Sequence, residues 1–259
     1  MPDLFRVADF LAYLLHARGK HGVHSPFVYR LVTDILEQRT LHPSYHRIEL
    51  IRAAMLESSA QIRMHDLGAG KKKDVRSLRE ITASTAKRAK YGRLLHRIIA
   101  AFRPEYAVEL GSCTGISTLY QSIGMEHHPL FSIEGDPTLA SIAKENLREA
   151  GLEERAKIIQ GNFDTAFPAL LQHIPQLDYL FADGNHTLEA TLHYFQMALN
   201  KAHEGSLFIF DDIHWNEDMF RAWNIIKNHK EVRVSIDIFA MGLVFFRTVQ
   251  EKEHFILRY

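Results

Sequence analysis

Tyr106-Ala-Val-Glu109-Leu-Gly111-Ser112-Cys113-Thr-Gly115-Ile116 runs from a short apolar segment carrying a carboxylate, through a turn with two glycines, into an apolar-periodic segment. That order describes a strand, a tight turn and a helix. Glycines at the turn let the backbone bend sharply and approach a ligand closely. The helix that follows offers unpaired backbone N–H groups at its start, which suits a carboxylate or another anion. A dinucleotide fingerprint would read Gly-x-Gly-x-x-Gly, whereas this turn reads Gly111-x-x-x-Gly115. The missing glycine argues against a pyrophosphate cradle and against a nicotinamide oxidoreductase.

Outward from this turn, apolar runs at 106–110, 130–133, 156–160, 177–182 and 206–210 alternate with amphipathic segments. Such alternation predicts an α/β fold with a mostly parallel sheet. Asp136-Pro137 reads as a helix start and Gly151 as its end. Thr187 reads as the cap of a helix ending near Gly205, and a further helix is expected over 216–229. Segments 232–239 and 243–248 flank Met241-Gly242 and predict a closing antiparallel hairpin. Residues 1–102 are patterned differently, with helices expected near 4–17, from Ser25-Pro26 through Leu36, and over 44–57, 76–83 and 91–102. Asp66-Leu-Gly-Ala-Gly-Lys-Lys-Lys-Asp74 reads as a surface loop, with Lys71–Lys73 a solvated loop or a lid. The expected organisation is an N-terminal helical extension or cap, 1–102, before a cofactor-binding domain, 103–259.

A chain of 259 residues with 46% hydrophobic content can bury one sizeable core plus an accessory region. Lys+Arg and Asp+Glu both number 31, so no global field favours nucleic acid or an anionic membrane. Neither is expected as a partner. Cys113 is the single cysteine, which excludes an intramolecular disulfide and a cysteine-based zinc site. The N-terminus lacks the basic start of a secretory signal, and the apolar segment 10–15 is too short to span a bilayer. A cytoplasmic protein is expected, and a homo-oligomer is compatible with the sequence.

Ligands of open α/β sheets bind outside the carboxyl ends of the parallel strands. Glu109, Gly111 and Gly115 stand at one such end, where Glu109 can accept from an ammonium directly or through water. Glu134 ends the second strand and suits a pair of ribose hydroxyls, a device that nicotinamide sites share. Asp66-Leu-Gly-Ala-Gly70 is a weaker loop candidate, because a poor strand, Gln61-Ile-Arg-Met-His65, precedes it and lysines follow. Asp183 ends the fourth strand, and Asp211 and Asp212 end the fifth. Three carboxylates in one crevice repel unless they are protonated, separated or neutralised by a cation such as Mg²⁺. Alternatively, Asp211-Asp212 cap the next helix or line a metal-free pocket. His186, with His214 second, has the reference pKa of a general base; a capping or packing role for His186 is the plain alternative. Cys113 reads as a small loop residue rather than a nucleophile, and His16, His21 and His24 as a solvated linker. Trp215 and Trp223 read as core or pocket wall, and Phe239, Phe245 and Phe246 as core.

Together, Lys90-Tyr-Gly-Arg-Leu-Leu-His-Arg-Ile-Ile99, Val108-Glu-Leu-Gly-Ser-Cys-Thr-Gly-Ile-Ser-Thr118, Ser132-Ile-Glu134, Gly161-Asn-Phe163, Phe181-Ala-Asp-Gly-Asn-His186 and Phe210-Asp-Asp-Ile-His-Trp215 resemble one known family. It is the catechol O-methyltransferase-like branch of class I S-adenosylmethionine-dependent methyltransferases, in particular its bacterial members with Asp-Gly-x-His after the fourth strand. The resemblance covers residues 88–248. It implies a Rossmann-like, seven-stranded methyltransferase sheet and S-adenosylmethionine as cofactor. It places the methionine part on Glu109, Gly111, Ser112 and Gly115, the ribose on Glu134 and the adenine near Asn162 and Phe163. Asp183 would lie beside the cofactor and, with Asp211 and Asp212, would ligate a metal. Animal catechol methyltransferases carry a lysine base just after the first ligand, and Gly184-Asn-His186 stands there instead, so His186 is the expected replacement. The implied function is methyl transfer to a small-molecule acceptor, at oxygen, assisted by a divalent cation. The rivals are a metal-independent methyltransferase on another acceptor class and a non-enzymatic S-adenosylmethionine-binding module.

Overall fold

The computed structural model describes residues 4–64 and 75–259, so the 66–74 loop, with its second glycine motif and lysine run, lies outside the described residues. The chain forms two compact units, residues 39–173, and residues 1–38 with 174–259.

In the unit 39–173, the helix Ser44–Glu57 buries Tyr45, Ile48, Ile51 and Met55, a spacing that makes one apolar stripe. Two short strands, β1 (Gln61–Arg63) and β2 (Val75–Ser77), pair antiparallel. The helix Leu78–Thr85 follows, opened by a reciprocal cap in which Ser77 accepts from the Glu80 N–H and Glu80 accepts from the Ser77 N–H. After the helix Ala89–Phe102 come β3 (Ala107–Leu110), β4 (Leu130–Glu134) and β5 (Ala156–Gln160), parallel neighbours in that order. The helices Ile116–Gly124 and Pro137–Ala150 connect them, and every residue of the first is buried. Asp136 caps the second by accepting from the Thr138 and Leu139 N–H groups, and Gly151 ends it at φ 68°. The expected start and end of this helix are therefore both observed.

The unit 1–38 with 174–259 contains β6 (Tyr179–Ala182), β7 (Leu207–Asp211), β8 (Val234–Asp237), β9 (Met241–Phe245) and β10 (Glu253–Ile256). Their order is β6-β7-β9-β8-β10, with β6 parallel to β7, β9 antiparallel to both β7 and β8, and β10 parallel to β8. The expected α/β fold with its antiparallel closing hairpin is thus present, and β10 is an addition at the edge. The N-terminal helix Leu4–His16 is tied to this end of the chain by the Tyr13 hydroxyl, which donates to Leu257 O at 2.5 Å. Arg18 N–H donates to Ile256 O at 2.9 Å and Arg258 N–H returns to Arg18 O at 3.0 Å. Among the described residues no helix is long and apolar enough to cross a membrane.

Two details differ from the sequence expectations. Residues 61–63 are a strand despite weak apolar alternation, because a three-residue pairing with 75–77 requires only backbone hydrogen bonds. The hairpin turn lies at Phe239-Ala240 rather than Met241-Gly242, closed by Ile238 N–H to Met241 O at 3.0 Å. Gly242 sits inside β9, where a Cβ would stand 2.5 Å from the Trp223 ring. Its role is close packing, not turning.

His96 on the helix Ala89–Phe102 is buried, with Nδ1 2.5 Å from the Tyr45 hydroxyl. Burial pushes its pKa down to about 4, helped by the charges of His42 and Arg97. A histidine depressed in the fold binds fewer protons than in the unfolded chain. Its contribution is therefore complete above the unfolded value of about 6.5 and is lost as pH falls towards the folded value. Urea unfolding of the protein and of His96→Gln, followed over this window, should show a shallower acid loss of stability in the variant. Equal slopes would rule out His96 as a source of that loss.

Candidate active site

The Gly111–Gly115 loop combines three residues of positive φ, Gly111 at 98°, Cys113 at 49° and Gly115 at 86°. A Cβ on Gly115 would lie 3.1 Å from both Cα and Cβ of Ala143 on the neighbouring helix Pro137–Ala150. Gly115 thus serves both the left-handed turn and the close helix contact. Beneath this geometry is Glu109, which is completely buried. Its Oε2 accepts from Thr118 at 2.5 Å and Ser132 at 2.6 Å, and its Oε1 accepts from Gln121 at 2.6 Å. Burial pushes its pKa up, while these hydrogen bonds and one from Ser117 oppose the shift. The carboxylate expected to meet an ammonium is therefore engaged by the chain's own donors, and ties β3, β4 and the helix Ile116–Gly124 together.

Glu134 behaves differently. Its Oε2 accepts from the Cys113 N–H at 2.7 Å and its Oε1 from the Asp136 N–H at 2.9 Å. It clamps the glycine loop to the end of β4. Burial pushes its pKa up and backbone N–H donors counter it. Asn162 is exposed and its side chain accepts from the Asp164 N–H at 2.8 Å, which starts the helix Phe163–His173. Phe163 is the first residue of that helix and is partly buried.

The loop has the character of a site for an amino-acid carboxylate. The helix Ile116–Gly124 has no side-chain cap, unlike the helices opened by Asp136, Thr187 and Asn216. Ser112 is 2% exposed and its hydroxyl has no hydrogen-bond partner. A buried polar atom left so is uncommon and calls for an explanation, and a hydrogen-bonding ligand at the loop is one that suits it. These features fit the methionine end of S-adenosylmethionine. Sequence reasoning missed the helix Leu78–Thr85 as a neighbour of this loop. Thr85 Oγ1 lies 3.1 Å from Cys113 Sγ, and Ile81 packs with Leu139, against which Cys113 also rests. Thr82, on that helix, carries a second buried hydroxyl with no partner. The capping box at Ser77-x-x-Glu80 was the available signal for that helix.

In the other unit, Asp183 follows β6 and Asp212 follows β7. Ligand atoms of Asp183, His186 and Asp212 all lie within 4.8 Å of one another, and all three residues are partly buried. His186 Nε2 is 3.7 Å from Asp183 Oδ1. Asp211, the last residue of β7, is 1% exposed and does not join this group. The structure therefore brings together Asp183, Asp212 and His186 from the expected set. His214 is committed elsewhere, its Nδ1 bonded to Asp9 and its Nε2 2.8 Å from Asp237 Oδ2. Burial alone would lower its pKa, but these two aspartates raise it overall. It stacks on Phe239 with ring centroids 4.7 Å apart, and links the N-terminal helix to β8. Trp223 is buried, whereas Trp215 is 46% exposed with the Arg6 guanidinium 4.4 Å above its ring.

Residues 108–213 match a family profile described as a methyltransferase domain. The chain is 27% identical over 124 residues to a catechol O-methyltransferase of Niastella koreensis, covering 47% of this chain and 55% of that protein. It is 26% identical over 126 residues to a catechol O-methyltransferase of Mycobacterium tuberculosis, covering 48% and 56%. The chain thus spans about half the length of these curated relatives. Its fold is similar to that of the O-methyltransferase TomG of Streptomyces achromogenes, solved with SAM, with a TM-score of 0.59 and 16% identity over 85% of this chain and 94% of that one. Residues 108–213 are thus similar to a methyltransferase domain, and the fold is similar to that of a Rossmann-like O-methyltransferase. Over about half of its length the chain is similar to catechol O-methyltransferases.

Gly115→Ala should cost about 1–2 kcal/mol for the left-handed backbone alone, before the Ala143 contact is counted. Calorimetric titration with S-adenosylhomocysteine should show at least about tenfold weaker binding, since each factor of ten is about 1.4 kcal/mol. Unchanged stability and affinity would show that the turn tolerates a side chain.

Proposed function

We propose that this chain transfers a methyl group from S-adenosylmethionine to an oxygen of a small-molecule acceptor, with a divalent cation at the Asp183 centre. The carrying observation is the orphaned Ser112 hydroxyl in a loop that opens an uncapped helix. In this reading Gly111, Ser112 and Gly115 receive the methionine end, with Glu109 holding the loop from within. Glu134 takes the ribose, and Asn162 and Phe163 border the adenine. Residues 1–102 form the helical extension and 103–259 the cofactor-binding domain.

When bound, the cofactor supplies an electrophilic methyl on sulfur, and the cation makes an acceptor hydroxyl more acidic. The protein's part is placement. Asp183 and Asp212 present carboxylates suited to a divalent ion, with His186 beside them. Holding acceptor and donor in line replaces a bimolecular encounter with a positioned one, worth several orders of magnitude in rate. The support for oxygen as the acceptor atom is the likeness to catechol O-methyltransferases.

The test pairs binding with turnover. S-adenosylhomocysteine should bind the protein, with at least about tenfold weaker affinity for Glu134→Gln. Asp183→Asn should keep that binding yet lose transfer to a panel of phenolic acceptors by about a hundredfold or more. Absence of S-adenosylhomocysteine binding would sink the reading. Transfer insensitive both to EDTA and to Asp183→Asn would establish the metal-independent rival.

A further inference from the structure

We propose that the outward face of the N-terminal helix, formed by Val7, Phe10, Leu11, Leu14 and Leu15, pairs with the same face of a second copy of this chain. The proposal is independent of the methyltransferase reading.

The helix Leu4–His16 has its two sides reversed. A surface helix of a monomer buries its apolar stripe and shows its polar side to water. Val7, Phe10, Leu11, Leu14 and Leu15 follow the i, i+3, i+4, i+7, i+8 spacing of such a stripe, yet they are 41–84% exposed. Ala8 and Ala12 beside them are exposed too. The polar side chains Arg6, Asp9 and Tyr13 are the ones engaged with the rest of the chain.

Three contacts hold this orientation. The Asp9 carboxylate is hydrogen-bonded to His214 Nδ1. The Tyr13 hydroxyl donates to Leu257 O, and the Arg6 guanidinium covers the Trp215 ring. Ring contacts add to them, Phe5 with Phe220 at 6.0 Å and Phe10 with Phe239 at 4.9 Å between centroids. Rolling the helix to bury its leucines would undo these contacts and leave the buried His214 without one of its partners. The apolar face is therefore fixed outwards, and covering it takes a partner.

The character of the face selects that partner. It carries no charged side chain, so a charged surface gains nothing by meeting it. Anionic membranes attract amphipathic helices through lysine and arginine beside the apolar face. Arg6 is the single lysine or arginine of this helix, and it is turned onto Trp215. What fits is an equally uncharged apolar stripe. Among the described residues, the other exposed large hydrophobic side chains lie one to an element or loop. The surface of matching character among them is this face itself, and a two-fold axis makes such a face its own complement.

The area suits two copies. Taking roughly 150–200 Å² for a fully exposed large side chain, the five leave on the order of 500 Å² open per copy. Two faces packed together thus remove about 1,000 Å² from water, the lower limit for a specific interface. The 13 residues span about 20 Å of helix, along which two copies can interlock at an axis separation of about 8–10 Å. An interface at that limit gives a reversible dimer rather than a permanent one.

Sedimentation velocity of the full chain between about 1 and 100 µM should show a monomer–dimer equilibrium with a Kd in the micromolar range. Leu11→Glu and, separately, Leu15→Glu should weaken dimerisation at least about tenfold, because each copy then brings a charge into an apolar contact. Leu15 is the most exposed of the five, so its replacement leaves the fold intact, and circular dichroism of both variants checks this. Ile225→Glu, at an exposed position on the helix Glu217–Asn228, should dimerise as the native chain does. A monomer throughout the range, or a dimer that both helix variants leave unchanged, would overturn the proposal. So would a monomer that floats with phosphatidylcholine vesicles and loses them in Leu11→Glu, since the occupant would then be lipid.

Discussion

A carboxyl group buried in the middle of a protein is tolerable only if its hydrogen-bonding capacity is met, and Glu109 is where this chain accepts that constraint. The carboxylate is completely inaccessible and is held by Thr118, Gln121 and Ser132. Removing one such donor would leave a buried polar oxygen unsatisfied, which costs more than losing a hydrogen bond at the surface. Because the donors come from β4 and from the helix after the loop, the residues between them cannot relax independently. Gly111, Cys113 and Gly115 are therefore fixed in backbone states that a free loop would seldom populate together.

Glu134 continues the same logic one strand away, with backbone donors in place of side chains. It accepts from the Cys113 and Asp136 N–H groups, so the glycine loop and the cap of the following helix share one carboxylate. Glu109 and Glu134 look alike in sequence, both being acids near the ends of parallel strands. Their surroundings divide the work. Glu109 is turned into the protein among hydroxyls and an amide, and Glu134 is turned towards the backbone at the loop. The result is a loop held from two sides, with a helix start that has no side-chain cap and a Ser112 hydroxyl without a hydrogen-bond partner.

Much of this was legible in the chain itself, wherever a residue type permits only one local geometry. Asp136-Pro137 and Gly151 marked both ends of a helix, because a carboxylate cap, a fixed φ and a left-handed glycine have few other uses. The alternation of apolar runs gave the strands, and Gly111-x-x-x-Gly115 marked the loop. What escaped was set by tertiary contact. Gly242 looked like a turn residue, and the Trp223 ring makes it a packing glycine. His214 looked like a free base, and Asp9 and Asp237, far from it in sequence, hold both of its nitrogens. The Leu78–Thr85 helix beside Cys113 had no signal tying it to the loop, since that contact joins segments 28 residues apart.

Asp211 and Asp212 show why adjacent candidates are the hardest to separate from sequence. Side chains along a strand point to opposite faces, so two neighbouring acids at a strand end cannot share one environment without a break in the backbone. Here Asp211 keeps the pairing of β7 with β9 and is buried with the rest of that strand. Asp212 leaves the ladder at positive φ, and its carboxylate joins Asp183 and His186. A motif that names both residues thus specifies a strand end, and the dihedral of its second residue selects the acid that reaches the centre. The same reasoning applies to Gly184-Asn-His186, where the left-handed Asn185 folds the chain back so that His186 comes within 3.7 Å of Asp183. The grouping of Asp183, His186 and Asp212 is a consequence of these two backbone reversals, which neither residue type announces in the sequence.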